Sequence, residues 1–202
     1  MVERLYGVMH GSATEFGGVR LLDNLVAPSK GLMRDLLTLS PGARVGIETS
    51  PELGRPLEIQ GETVDFAESN KFYWDRIQRL CKRRGLEVVY LEDFETYKKY
   101  LEKVFEMRPL NEALESEFRT GGVPERVMQQ MHRVQTEAEY MFLFEREEKI
   151  FDRIAETQPA IAILGRGHTD PLLLNSEALT CRGISVGEHK AEELFFPPWH
   201  WD

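Results

Sequence analysis

Five short apolar runs, separated by longer stretches with helical spacing, constrain this chain more than any other feature. They occupy residues 4–9 (RLYGVM), 44–48 (RVGIE), 86–91 (LEVVYL), 160–164 (AIAIL) and 183–187 (GISVG). Short strands alternating with helices are the pattern of a mostly parallel sheet, because parallel strands need crossover connections. The expected fold is therefore α/β: a central, mostly parallel β-sheet of about five strands flanked by helices, in a single domain. At 202 residues the chain has the length for one full core. We place that domain at 1–190 and treat 191–202 as a separate aromatic tail.

Helical spacing fills the gaps between the runs. A helix is expected within 19–39, ahead of the turn SPG, and another over 63–84, carrying Val64, Phe66, Phe72, Ile77 and Leu80 and stopped by Gly85. A third covers 94–106, with Phe94, Tyr97, Leu101 and Phe105 on one face. TGGVP at 120–124 is a break, with Pro124 suited to the first turn of a long helix reaching about 157. That last segment reads equally as one kinked helix or as two.

Composition narrows the partners. A net charge of −9 argues against nucleic acid, which needs a basic surface. The basic run CKRRG at 81–85 falls where a helix ends, and cations there complement the helix dipole. Two cysteines, Cys81 and Cys181, form neither a disulfide framework nor a metal finger, and read as core or half-buried thiols in a reducing compartment. MVERLYGV carries no apolar stretch long enough for a signal peptide, and no run reaches the ~18 apolar residues of a membrane span. The expectation is a soluble, cytoplasmic protein with no membrane partner.

Chemistry concentrates at three strand ends. The first strand runs into YGVMHGS, with His10 three residues after Gly7; the second ends VGIETSPE, with Glu48 after an apolar pair; the fourth ends LGRGHTD, with His168 three residues after Gly165. At the carboxyl edge of a parallel sheet, strand-end side chains converge on one rim where ligands bind. Two imidazoles and a carboxylate there suit either a metal site or an acid–base site. Taken singly, each is ordinary: a hydrogen-bonded histidine, a solvated carboxylate, glycines serving turns. The repeated Gly-x-x-His is what distinguishes them. On the long helix, at about 100° per residue, Val127, Val134, Ala138, Met141 and Phe142 share a face. Glu145 then falls within that stripe and Arg146 at its margin. The bland alternative is that both are solvated.

These pieces together resemble the TraB/TIKI superfamily, which includes the pheromone-shutdown proteins, ChaN-like haem-binding proteins and erythromycin esterases. The shared pattern is Gly-x-x-His on the first strand, Glu at the end of the second, Glu-Arg late in a helix, and a second Gly-x-x-His. Here these are Gly7 with His10, Glu48, Glu145 with Arg146, and Gly165 with His168. The continuation TDPLL after the second histidine departs from the more apolar one of many relatives. The resemblance implies an α/β core with the histidines and Glu48 in one pocket and, for the TIKI branch, metal-dependent peptide hydrolysis.

The leading expectation is a metal-dependent hydrolase acting on a peptide or ester bond. His10, His168 and Glu48 would hold a divalent manganese, cobalt or zinc ion. Glu48, Arg146 and Glu145 would serve catalysis, with Glu48 as ligand or water-activating base and Arg146 stabilising developing negative charge. The alternatives are a metal-free esterase with a histidine base, and a non-catalytic ligand-binding or regulatory protein. A purely structural role for the histidines is a third. No Walker-type phosphate loop is present, and GRGH lacks the first histidine of the nucleotidylyl-transferase motif. The tail LFFPPWHWD is expected to pack on the body or across a homodimer interface.

Overall fold

The computed structural model describes residues 1–8, 15–16, 19–20, 28–64, 68–121, 125–165 and 182–191. Five parallel strands form its centre: β1 (Val2–Val8), β4 (Arg44–Ile47), β7 (Glu87–Tyr90), β8 (Ile161–Gly165) and β9 (Val186–Ala191). Between β1 and β4 lie the two-residue strands β2 (Glu15–Phe16) and β3 (Val19–Arg20). A second small ribbon, β5 (Leu57–Ile59) with β6 (Glu62–Val64), lies between β4 and β7. The central order is β7-β4-β8-β1-β9, with every pairing parallel. The expected α/β class and parallel sheet are both present.

β8 takes the middle because every residue in it is buried and apolar or glycine, as a strand covered on both faces requires. Ile161 and Ile163 face one layer, while Ala162 and Leu164 face the other. The first layer is α1 (Lys30–Thr38) and α2 (Glu68–Arg84), which bring Leu32, Leu36, Tyr73, Ile77 and Cys81 against the sheet. Burial there pushes the Cys81 thiol up to about 11, leaving it a packing residue. The second layer is α5 (Glu147–Thr157), through Ile150, Phe151 and Ile154. Between β7 and α5 come α3 (Phe94–Arg119) and α4 (Glu125–Tyr140), two packed helices bridged by Lys103 to Glu137 at 3.0 Å. No helix among the described residues is long and apolar enough to cross a membrane.

Three boundaries differ from the sequence reading. The second helix starts at Glu68, because Glu62–Val64 pair with Leu57–Ile59 across a turn with positive φ at Gln60 (52°) and Gly61 (84°). Two adjacent left-handed residues are the signature of a tight hairpin turn. The third helix continues through Pro109 to Arg119, supported along its length by α4. The last strand begins at Val186; Gly183 turns the chain at φ 69° and Ile184 enters the core unpaired. Ala191, the first residue of the expected tail, ends β9, and Cys181 and residues 192–202 lie outside the described residues.

A polar clasp fastens α1 to the far side of the sheet. The Tyr6 hydroxyl donates to Asp35 Oδ2, and Lys190 Nζ donates to the same oxygen at 2.8 Å. Glu188 reaches Lys190 at 3.3 Å and Arg4 at 3.6 Å. The hydrogen bonds from Lys190 and then Tyr6 hold the Asp35 carboxyl below its usual range. A depressed folded-state pKa gives stability that is present above the unfolded value and lost as pH falls through the folded one. Asp35→Asn is expected to cost about 1–3 kcal/mol in urea unfolding at pH 7, the usual scale for hydrogen bonds to a charged group. The difference from wild type should shrink as pH falls below the usual carboxylate range; a gap that stays constant into acid would show the clasp is not carried by the carboxylate charge.

Candidate functional site

At the carboxyl edge of the sheet, adjacent strands deliver their next residues to one place. Glu48 directly follows β4 and is buried. Glu92 stands two residues past β7 and is also buried. By strand alternation Glu48 shares the side of Gly46, where an added Cβ would sit 2.9 Å from Leu91 Cδ1. Glycine at 46 thus lets Leu91 pack closely beneath the two carboxylates.

The Glu48 carboxylate is anchored by the backbone of the neighbouring strand: the Gly165 N–H donates to Oε2. Arg146 approaches from the α5 layer with its NH2 3.6 Å from Glu48 Oε1. Its stronger attachment is to Glu92, with Nε donating to Oε1 at 3.1 Å and NH2 to Oε2. This two-point fork is the strongest way a guanidinium binds a carboxylate. The faces of Tyr97 and Tyr100 on α3 lie 4.6 and 5.3 Å from the guanidinium carbon, within cation–π range. Only 3% of Arg146 is exposed. Burial disfavours its charge, but Glu92 and then Glu48 more than offset this and hold its pKa above the usual value. Burial raises the phenol pKa of both tyrosines, so they stay neutral.

Local helix geometry explains why Arg146, rather than Glu145, points inward. Met141–Arg146 is a π-helical segment joining α4 to α5. Its wider turn breaks the regular advance assumed in projecting the stripe, and such segments recur at functional sites. Val134 and Ala138 are buried as projected. Glu145 is partly exposed and makes no hydrogen bond or ion pair among the described residues. Of the expected site residues, then, Glu48 and Arg146 are brought together and Glu145 is not.

His10 and His168 lie outside the described residues, but the strands leading to them are in view. β1 and β8 are neighbours, with Val8 opposite Gly165 in register. The two histidines follow these strand ends by two and three residues. Sequence reading missed Glu92, although it follows the third strand much as Glu48 follows the second. It sits in LEDFE, whose Asp93 caps α3 by accepting from Thr96 N–H at 2.9 Å, so the acidic run reads as a helix start. Beside the cluster lies a hollow of about 610 Å3, lined by Ser50, Tyr90, Glu92 and Phe94 among others.

Comparison of the chain with family models, curated proteins and solved structures finds no match.

Removing one partner from a buried charge pair costs about 3–5 kcal/mol. Arg146→Met leaves two carboxylates facing each other, whereas Glu92→Gln leaves Arg146 its contact with Glu48. Arg146→Met should therefore destabilise the fold by about 3–5 kcal/mol at pH 7, and Glu92→Gln by less. Protonating one carboxylate relieves the repulsion, so the Arg146→Met deficit should narrow as pH falls toward 5. Denaturant unfolding at the two pH values measures both; an equal and pH-independent loss would contradict the shared-charge arrangement.

Proposed function

We propose that this protein is a metal-dependent hydrolase of peptide or ester bonds, working at the carboxyl edge of the sheet and related in design to the TraB/TIKI superfamily. One observation carries the reading. Glu48 is a buried, backbone-anchored carboxylate bonded to the last residue of β8, the strand that leads to His168, and β8 ends level with the strand that leads to His10. In the sequence, His10 follows the last residue of β1 by two positions and His168 follows the last residue of β8 by three.

The donor set fits a divalent ion of the zinc, cobalt or manganese type: two imidazoles and a carboxylate whose orientation is fixed by an amide hydrogen bond. His10, His168 and Glu48 would hold it, and its chemistry there is to polarise a carbonyl and acidify a water. The chain's own residues do the rest. Arg146, gripped by Glu92 and in cation–π contact with Tyr97 and Tyr100, provides a fixed positive charge in a water-poor setting, suited to an oxyanion. Glu48 Oε1, 3.6 Å from that charge, accepts the proton of an attacking water or ligates directly. Glu48, Glu92 and Arg146 together carry a formal charge of −1, which favours a cation beside them.

Imidazole binds metal only when neutral, so affinity must fall as pH drops through the histidine range. Added manganese, cobalt or zinc should raise the melting temperature at neutral pH, by a margin that shrinks toward pH 5. His10→Ala and His168→Ala should each abolish the gain. His132→Ala, on the exposed side of α4, should not. If melting and calorimetry both detect no metal binding by the wild type, the metal-dependent reading fails and a histidine acting as base without metal replaces it.

A further inference from the structure

Among the described residues the sheet has an edge at β7, which pairs with β4 alone. Glu87 N–H donates to Ala43 and Leu91 N–H to Ile47, both on the β4 side. Backbone groups alternate along a strand, so Val88 and Tyr90 direct their N–H and C=O to the open side. Along that side runs a groove. All four residues of β7 line a hollow of about 420 Å3, closed opposite by Arg153, Glu156 and Thr157 of α5. It shares Tyr90, Arg153 and Glu156 with the 610 Å3 hollow beside Glu92, so the two adjoin.

The larger hollow is acidic. Arg153 is taken up by Glu156 at 3.3 Å, Asp152 lies 3.7 Å from Arg182, and Lys149 acts on the Asp93 carboxylate. Glu52 and Glu95 line the same hollow without an ionic partner among the described residues. A second, independent feature is Ser50. It lines the hollow, is 5% exposed, and its buried hydroxyl has no hydrogen-bond partner among the described residues. A buried hydroxyl left unmatched is uncommon and favours a ligand that supplies the bond.

We propose that this groove binds an extended peptide that adds to β7 as a further strand and places a lysine or arginine side chain in the hollow lined by Glu52 and Glu95. Main-chain bonds to Val88 and Tyr90 give affinity without regard to sequence, and the acidic hollow supplies the preference. Glu92 lines the hollow and grips Arg146, which reaches Glu48, so a bound strand would run toward the proposed hydrolytic site. As a substrate track the groove rests on the hydrolase reading; as a binding surface it stands alone.

The test uses a fluorescent, capped seven-residue peptide of alternating valine and threonine with one lysine, its glutamate counterpart, and a version N-methylated at alternate amides. Anisotropy titration should show saturable binding of the lysine peptide, at least about tenfold tighter than the glutamate one and weakening with salt. N-methylation should abolish binding. Val88→Pro removes an outward N–H at an edge position that tolerates proline and should weaken binding at least about tenfold, while Val88→Thr binds as wild type. Glu52→Gln with Glu95→Gln should remove the lysine preference and leave the peptides equal. Equal binding of the N-methylated peptide, no saturation by millimolar peptide, or a dimer paired through β7 that excludes it would each overturn the proposal. None of these readouts uses metal or turnover, so failure of the hydrolase reading would leave the result standing, and the reverse.

Discussion

Arg146 is the residue on which this end of the molecule depends. Its guanidinium reaches Glu92 beyond β7, Glu48 beyond β4 and the tyrosines of α3, from its own place where the π segment meets α5. The ends of β4 and β7, helix α3 and the π segment are thereby fixed to one buried charge. Such an arrangement is weak evidence for stability, because desolvating three charged groups offsets much of their attraction. Its consequence is specificity of position: the carboxylates have one low-energy geometry, set by the planar fork of the guanidinium and by the amide of Gly165.

That fixity follows from the sheet. β8 is buried on both faces and lies between β4 and β1, so its last amide is placed to anchor Glu48 while its register sets the level at which β1 ends. The connections after β1 and β4 cover one face and those after β7 cover the other. Covering both faces leaves the strand ends as the accessible rim, which is where open α/β sheets bind ligands. The opposite side of the sheet uses a different device: Asp35, Tyr6 and Lys190 tie a helix to an edge strand.

Much of this was legible in the chain. AIAIL announces β8 because wholly apolar residues suit a strand covered on both sides, and Glu48 is visible as a charge directly after an apolar pair. The β5–β6 ribbon was hidden because strands of three residues carry little alternation, leaving the glutamine–glycine turn as its only mark. β9 was shifted because VGEHKA is an edge strand with too few apolar residues to define its limits. Glu92 was masked by the helix cap beside it. A regular helical projection put Glu145 within the apolar stripe and Arg146 at its margin; a π segment cannot be read from spacing, and it is what turns Arg146 toward the sheet. The α/β class was readable because it rests on periodicity, whereas the partner of Arg146 depends on tertiary packing.

The central claim is that two imidazoles and the Glu48 carboxylate form one metal site at this rim. X-ray absorption at the zinc edge, on the 202-residue chain loaded with one equivalent of zinc at pH 7.5, tests it most directly. The account predicts a first shell of nitrogen and oxygen near ~2.0–2.1 Å with the outer-shell scattering of two imidazole rings, falling to one ring in His168→Ala. A shell of oxygen alone, or zinc that the protein does not retain, would contradict it.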